Sequence, residues 1–516
     1  MISPEDCQKL IFGIIKEKIK EPNYYQIISF INVLAEQLKK LNRNHFLNAF
    51  DLINNFKWNI LYIRTFIVKN FISLTSHFTE GAYTDILQSQ ENVSLSRFRK
   101  YDEKKDVNNA INNLATDVKD VISFDKIDPS LVFFHEKNGE LFSIITNKPK
   151  DDKEYQQMLQ LKNSQFDYKQ TGFEELPNYK KYKQLDFLQE LQNILDVTTP
   201  VEKVPNSTKI SLEEIAGDYV LTADNFVKMV LILLRIRSGI PVIMMGETGC
   251  GKTSLIRKLS EMKNDGDKQR MKILNIHAGT NDNDIIKFIN ENVIPDARKM
   301  YEGELKLKER YSKEGQIFEY TKLWVFLDEI NTCKSMGLIS ELMCKHTCQG
   351  SPLPENIVFI AACNPYRIRE KKSNVKKEKI GLDVNQAHEQ MKNLNEREKE
   401  NIKTSTDNDL VYTVHPLPHS LLNFVFYFGA LKPEDEQKYI KCIISSVIEK
   451  IYYKGKTPEG IKEENEDDKI KKLKKLSCDM IWEAQQYIRE KNDKSAVSLR
   501  EIRRVNIFFE FFFLYW

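Results

Sequence analysis

The residues Gly246-Glu-Thr-Gly-Cys-Gly-Lys-Thr253 carry the side chains and spacing needed to hold a polyphosphate. They fit Gly-x-x-x-x-Gly-Lys-[Ser/Thr]. Glycine lets the backbone approach phosphate oxygens that a Cβ would keep away. Successive N–H groups running into a helix N-terminus offer partial positive charge to an anion. The expected nucleotide contacts are Gly246, Glu247, Thr248, Gly249, Cys250, Gly251, Lys252, Thr253 and Ser254. Lys252 would reach the β- and γ-phosphates and Thr253 would ligate Mg²⁺.

A second run, Leu323-Trp-Val-Phe-Leu-Asp-Glu329, is apolar and ends in two carboxylates. Asp328, at the C-terminal end of a buried strand, is expected to hold Mg²⁺ directly or through water. Glu329 would orient and polarise the attacking water. A third run, Ile357-Val-Phe-Ile-Ala-Ala-Cys-Asn364-Pro365, also ends in a polar residue. In P-loop ATPases of the AAA+ type such a residue, sensor 1, helps place the water near the γ-phosphate, and Asn364 is the candidate. AAA+ lids add a sensor-2 arginine on a late helix. Here Ser498-Leu-Arg500-Glu-Ile-Arg503-Arg504 supplies Arg500, with Arg503 and Arg504 behind it. Arg367 and Arg369 follow Asn364 closely, and the sequence does not decide whether either serves as an arginine finger. Catalytic Glu329 and Asn364, with ATP and Mg²⁺ as cofactors, make one ATP-hydrolysing constellation.

These residues need a parallel sheet to line them up. Strands are expected at Pro241–Met245, Ile273–His277, Leu323–Leu327, Ile357–Cys363 and Leu410–Val414, alternating with helices in a three-layer α/β fold. Thr222 can cap a helix through Phe226, Met229, Val230, Leu233 and Leu234. The stretch 369–409 is charged, poor in apolar residues, and reads as a mobile insertion. After Pro418 the chain reads as helical, through Leu421–Leu431, Tyr439–Tyr453, Leu473–Arg489 and Leu499–Phe513. Upstream, Ile27, Ile28, Ile31, Leu34, Ala35 and Leu38 form one helical stripe, and Asn138-Gly139 between apolar runs over 131–145 signals a β-hairpin. The expected organisation is a helical region at 1–110, a connector with the hairpin at 111–210, a large α/β subdomain at 211–416 and a helical lid at 417–516.

Composition excludes several classes. With 77 basic and 74 acidic residues among 516, the net charge of +3 gives no drive toward nucleic acid or anionic membrane. No stretch reaches the roughly 18 apolar residues of a membrane span, and the N-terminus lacks the features of a signal peptide. The eight cysteines are scattered without Cys-x-x-Cys pairs, which fits a reducing, cytoplasmic setting. Cys344-Lys-His-Thr-Cys348 offers three candidate zinc ligands but no fourth at a recognisable spacing.

The runs Tyr219–Asn225, Ile240–Thr253, Asp328–Asn331, Ala361–Arg367, His415–Leu421 and Val497–Arg500 together resemble the AAA+ core of the mysterin family of giant RING-type ubiquitin ligases. The loop with Glu247 is also similar to those of dynein and midasin. The resemblance is strong over 215–516 and weak over 1–200. It implies neighbouring AAA+ modules as partners, and the ubiquitin machinery by extension. The N-terminal helices would be the lid of a preceding module. No RING and no other Cys/His cluster able to support ubiquitin transfer is present, so the chain reads as a fragment whose ligase part lies elsewhere. The rival readings are a nucleotide-binding assembly switch that hardly hydrolyses, a dynein- or midasin-like motor fragment, and a nucleic-acid motor. Near-neutral charge and the lack of a basic, aromatic-studded groove speak against the last.

Overall fold

The computed structural model describes residues 3–19, 22–44, 64–76, 131–134, 142–146, 148–163, 174–195, 212–217, 219–264, 266–313, 320–365, 414–429, 433–453, 464–491, 500–502 and 504–505. The sheet that organises them has five strands: β3 (Val242–Gly246), β4 (Met271–Asn275), β5 (Leu323–Asp328), β8 (Ile357–Cys363) and β9 (Val425–Gly429). Their order is β4-β5-β8-β3-β9, and every pair is parallel. The short strands β6 (Thr347–Cys348) and β7 (Ser351–Pro352) pair separately, antiparallel to each other. β3 comes first in the chain yet lies inside the sheet, between β8 and β9. The connection from β3 runs to β4 at one edge while that from β8 passes β3 to reach β9 at the other, so the crevice at the carboxyl ends of β8 and β3 is the switch point where open α/β sheets bind ligands.

β3, β5 and β8 read as continuous apolar runs because helices or loops cover both faces. Val242 and Met244 point into one core with the Ala223–Arg237 helix, whereas Ile243 and Met245 point into the other. The helix begins at Thr222, whose hydroxyl accepts from the Asn225 N–H. It ends in a turn through Gly239 at φ 67°, where Gly239 N–H bonds to Ile236 and Ile240 N–H to Arg235. That left-handed turn reverses the chain directly into β3. The helix therefore runs antiparallel to β3, and its N-terminus stands at the carboxyl end of the sheet.

The strand expected at Ile273–His277 begins and ends two residues earlier. The helix expected over Leu421–Leu431 is corrected. Only His419–Leu422 is helical, and Val425–Gly429 is the fifth sheet strand. A short aromatic and β-branched run, Phe424 to Phe428, shows no period that separates strand from buried helix, and sheet pairing with β3 decides it. The strand expected at Leu410–Val414, the insertion 369–409, Arg367 and Arg369 lie outside the described residues, apart from Val414, which is buried and not in a strand.

The expected hairpin forms from β1 (Leu131–Phe134) and β2 (Phe142–Ile145), paired Leu131 with Ile145 and Phe134 with Phe142. Alternation splits its faces. Leu131, Phe133 and Ile145 join the core of the Ala223–Arg237 helix, while Val132, Phe134, Phe142 and Ile144 join the N-terminal helices. Arg237 fixes the near side by donating to the Ile194 carbonyl at 2.7 Å and stacking over Phe133. C-terminally, the helices Pro433–Tyr453 and Glu464–Lys491 pair around Ile440, Ile444 and Cys478, and Ile502 joins them. No helix among the described residues is long and apolar enough to cross a membrane.

Candidate functional site

The loop after β3 turns with Gly249 at φ 76° and Gly251 at φ 96°, values that a side chain resists. Gly251 leads into the Lys252–Lys263 helix. This geometry aims the first N–H groups of that helix at the crevice. Lys252 is buried, and its ammonium donates to the carbonyls of Gly246 at 2.6 Å and Glu247 at 2.8 Å. Glu247, Thr248, Gly249, Thr253 and Ser254 are part-exposed around it, while Cys250 is buried.

The Thr253 hydroxyl donates to Asp328 Oδ2 at 2.6 Å. This joins residues 75 positions apart at the ends of two elements. Two hard oxygens this close can turn to one divalent cation, whose bonds to oxygen are about 2.1 Å for Mg²⁺. Asp328 ends β5, and Glu329 follows at φ 56°, ψ 42°, a left-handed conformation for a residue with a long side chain. Such strain costs on the order of 1–2 kcal/mol and tends to occur where function over-determines the backbone. The Glu329 carbonyl accepts from the Thr332 N–H and hydroxyl, which holds the turn.

β8 lies between β5 and β3, so Asn364, next after Cys363, stands between the loop and Asp328. Asn364 is 4% exposed, and its side-chain Oδ1 is buried with no hydrogen-bond partner. Its backbone is clamped. Asn331, fully buried, accepts from Asn364 N–H at 3.1 Å and donates to Asn364 O at 2.8 Å. Sequence reasoning quoted Asn331 only as part of a motif and missed this role. Burial pushes the Cys363 thiol up to about 12, partly offset by the charge of Lys252 nearby. Cys344, His346 and Cys348 are packing residues: Cys348 is buried, and the His346 ring bonds Pro354 O and packs on Phe359. Among the described residues no group of three or more His, Cys, Asp or Glu could hold a metal.

The C-terminal helix pair adds groups that the sequence did not flag. Arg489 donates two 2.7 Å bonds to the carboxylate of Glu436, a buried residue. Those bonds, with the charges of Glu436 and of Glu247 in the loop, hold its guanidinium above the ordinary range against burial. Tyr439, whose phenol burial pushes up to about 12, packs its ring against Tyr219 and accepts from Asn225. The helix pair is thus seated on the N-terminus of the Ala223–Arg237 helix. Arg500 is exposed at the start of the short helical turn that buries Ile502.

Residues 219–367 match the family model described as "RNF213 AAA domain". Over this stretch the chain is similar to the AAA domain of that family. Over 97% of its length it is 27% identical to E3 ubiquitin-protein ligase rnf213-beta of Danio rerio, and over 99% it is 26% identical to E3 ubiquitin-protein ligase RNF213 of Homo sapiens. The Mus musculus RNF213 is 29% identical over 66% of the chain. The matched stretch spans 9% of the zebrafish and human proteins and 6% of the mouse one. The mysterin resemblance carried by Tyr219–Arg367 therefore stands on the sequence as a whole as well as on its motifs.

Proposed function

We propose that this AAA core binds ATP with Mg²⁺ and hydrolyses it, as one module of an RNF213-like ligase. The observation that carries the reading is the Thr253–Asp328 hydrogen bond, which puts both expected Mg²⁺ ligands at the mouth of the glycine loop. The buried, unpartnered Oδ1 of Asn364 beside them fits a group that meets a polar ligand. Mg²⁺ would neutralise charge on the β- and γ-phosphates. Lys252 leaves its carbonyl partners to pair with the phosphates, and the loop N–H groups hold the remaining oxygens. Glu329 orients a water for in-line attack and accepts its proton. Asn364 fixes that water from the side, on a backbone held by Asn331. The C-terminal helix pair acts as the lid. Neighbouring modules and the ubiquitin machinery are the partners of this reading, and a cytoplasmic setting is its place.

Glu329→Gln tests it. The amide keeps the shape and removes the base, so ATP should still bind while turnover falls by roughly 10²–10⁴. Turnover equal to wild type, measured as phosphate release, would move catalysis to another residue.

A further inference from the structure

Among the described residues, Gln485 is the buried amide with both ends unpartnered, and the hydrolysis reading leaves it unused. It is 4% exposed, and neither its Oε1 nor its Nε2 has a hydrogen-bond partner. A buried amide with both ends unpaired is a net cost that a methionine of similar shape would not carry. Its position limits what could repay that cost. Gln485 lies four residues before Arg489 on the Glu464–Lys491 helix, so the two share a face one turn apart. Arg489 holds Glu436 at the start of the preceding helix. The helices run antiparallel from that pair down to Cys478 among Ile440 and Ile444. Gln485 therefore sits at the level of Tyr439. Tyr439 touches Tyr219 and Asn225, the segment at the carboxyl end of β3 where the glycine loop starts. A nucleotide with its phosphates in that loop would direct its base toward this wall.

We infer that Gln485 reads the nucleotide base and that its amide selects adenine over guanine. The inference rests on the nucleotide-binding reading above. Oε1 accepts from the adenine N6 amino group and Nε2 donates to N7, the same bidentate pairing that glutamine makes with adenine in nucleic acids. Guanine replaces the amino donor with the O6 acceptor, so Oε1 would face another acceptor. A site built to hydrogen-bond one partner rejects the analogue that leaves its buried groups unpaired. A carboxylate at the same place only accepts, so it would face N7 of either purine, and O6 of guanine, as one acceptor against another.

The test is calorimetric titration of the full chain with ATP, GTP and inorganic tripolyphosphate, for wild type, Gln485→Met and Gln485→Glu, with thermal melts of each free protein. Wild type should prefer ATP. Gln485→Met should lose about tenfold in ATP affinity, the equivalent of one or two lost hydrogen bonds. It should keep its tripolyphosphate affinity and melt no lower than wild type. Gln485→Glu, which only accepts, should lose ATP affinity without gaining affinity for GTP. An ATP-to-GTP ratio unchanged in both variants, or a lower melting temperature with equal loss of all three ligands, would overturn the inference and mark the amide as structural. Tripolyphosphate binding with no ATP preference in wild type would also overturn it while sparing the nucleotide site. A wild type that binds none of the three would overturn the proposed function itself.

Discussion

One amide, that of Asn331, makes both backbone hydrogen bonds to Asn364, 33 residues away, at 2.8 and 3.1 Å. The donor and acceptor ends of a single side chain thus replace a missing rung between the turn after β5 and the end of β8. The His415 N–H adds a third bond, to the Asn331 carbonyl at 2.7 Å.

Asn331→Leu should destabilise the chain by about 2–4 kcal/mol, because two buried backbone groups lose their partners. Asn331→Asp keeps the acceptor but turns the other oxygen against Asn364 O, so it should melt at least as low. Chemical denaturation of the two variants measures this. A Leu variant as stable as wild type would mean that the turn is held elsewhere.

Lys252→Ala should weaken ATP binding by about 10- to 100-fold, the value of a lost charge-assisted hydrogen bond to phosphate. Lys252 also ties Gly246 and Glu247, so the glycine loop of the variant should become easier to cleave by protease. Equal ATP affinities for wild type and variant would sink the phosphate-loop assignment.

Glu329→Gly separates strain from chemistry. Glycine takes the left-handed conformation at φ 56° without a Cβ penalty, so the variant should gain up to about 1 kcal/mol of stability. It should also lose ATP turnover as fully as Glu329→Gln. A glycine variant less stable than wild type would show that the side chain, and not its backbone, anchors the turn.

Stability should fall as pH rises above about 9. Cys363 ionises near 9 when unfolded and near 12 when folded, so between those values the unfolded chain binds fewer protons than the native one. The stability linked to the neutral thiol is complete below pH 9 and drains away toward 12, at about 1.4 kcal/mol per pH unit while only the unfolded thiol is ionised. Tyr439, raised to about 12, adds the same sign from its own ordinary value upward. Denaturant midpoints at pH 8, 9 and 10 check the slope. In Cys363→Ala the slope should be shallower.

The glycine loop and the strands β3, β5 and β8 were legible in sequence because each strand is a short apolar run stopped by a glycine, a carboxylate or an Asn-Pro pair. The helices Pro433–Tyr453 and Glu464–Lys491 were legible from their apolar spacing, whereas the helix expected over Leu499–Phe513 lies outside the described residues apart from 500–502 and 504–505. β9 was not, since Phe424–Phe428 has no alternation to betray a strand buried on both faces. Asn331 hid because its partner is distant in the chain and is backbone. Gln485 and Arg489 hid because, on a helix rich in Lys and Glu, polar residues read as solvated, and only packing distinguishes the buried ones.

The order of the sheet also sets when the site can assemble during synthesis. β3, which carries the glycine loop, has neither neighbour until β8 arrives at residue 357 and β9 at residue 425. A ribosome that has made Lys252 has therefore made a loop with no sheet to brace it, and the nascent strand must wait until Ile357–Cys363 and Val425–Gly429 emerge. Such long-range parallel pairing is slow and leaves apolar strand edges exposed. The glycine loop, early in the sheet by sequence, is among the last parts of the core to become rigid.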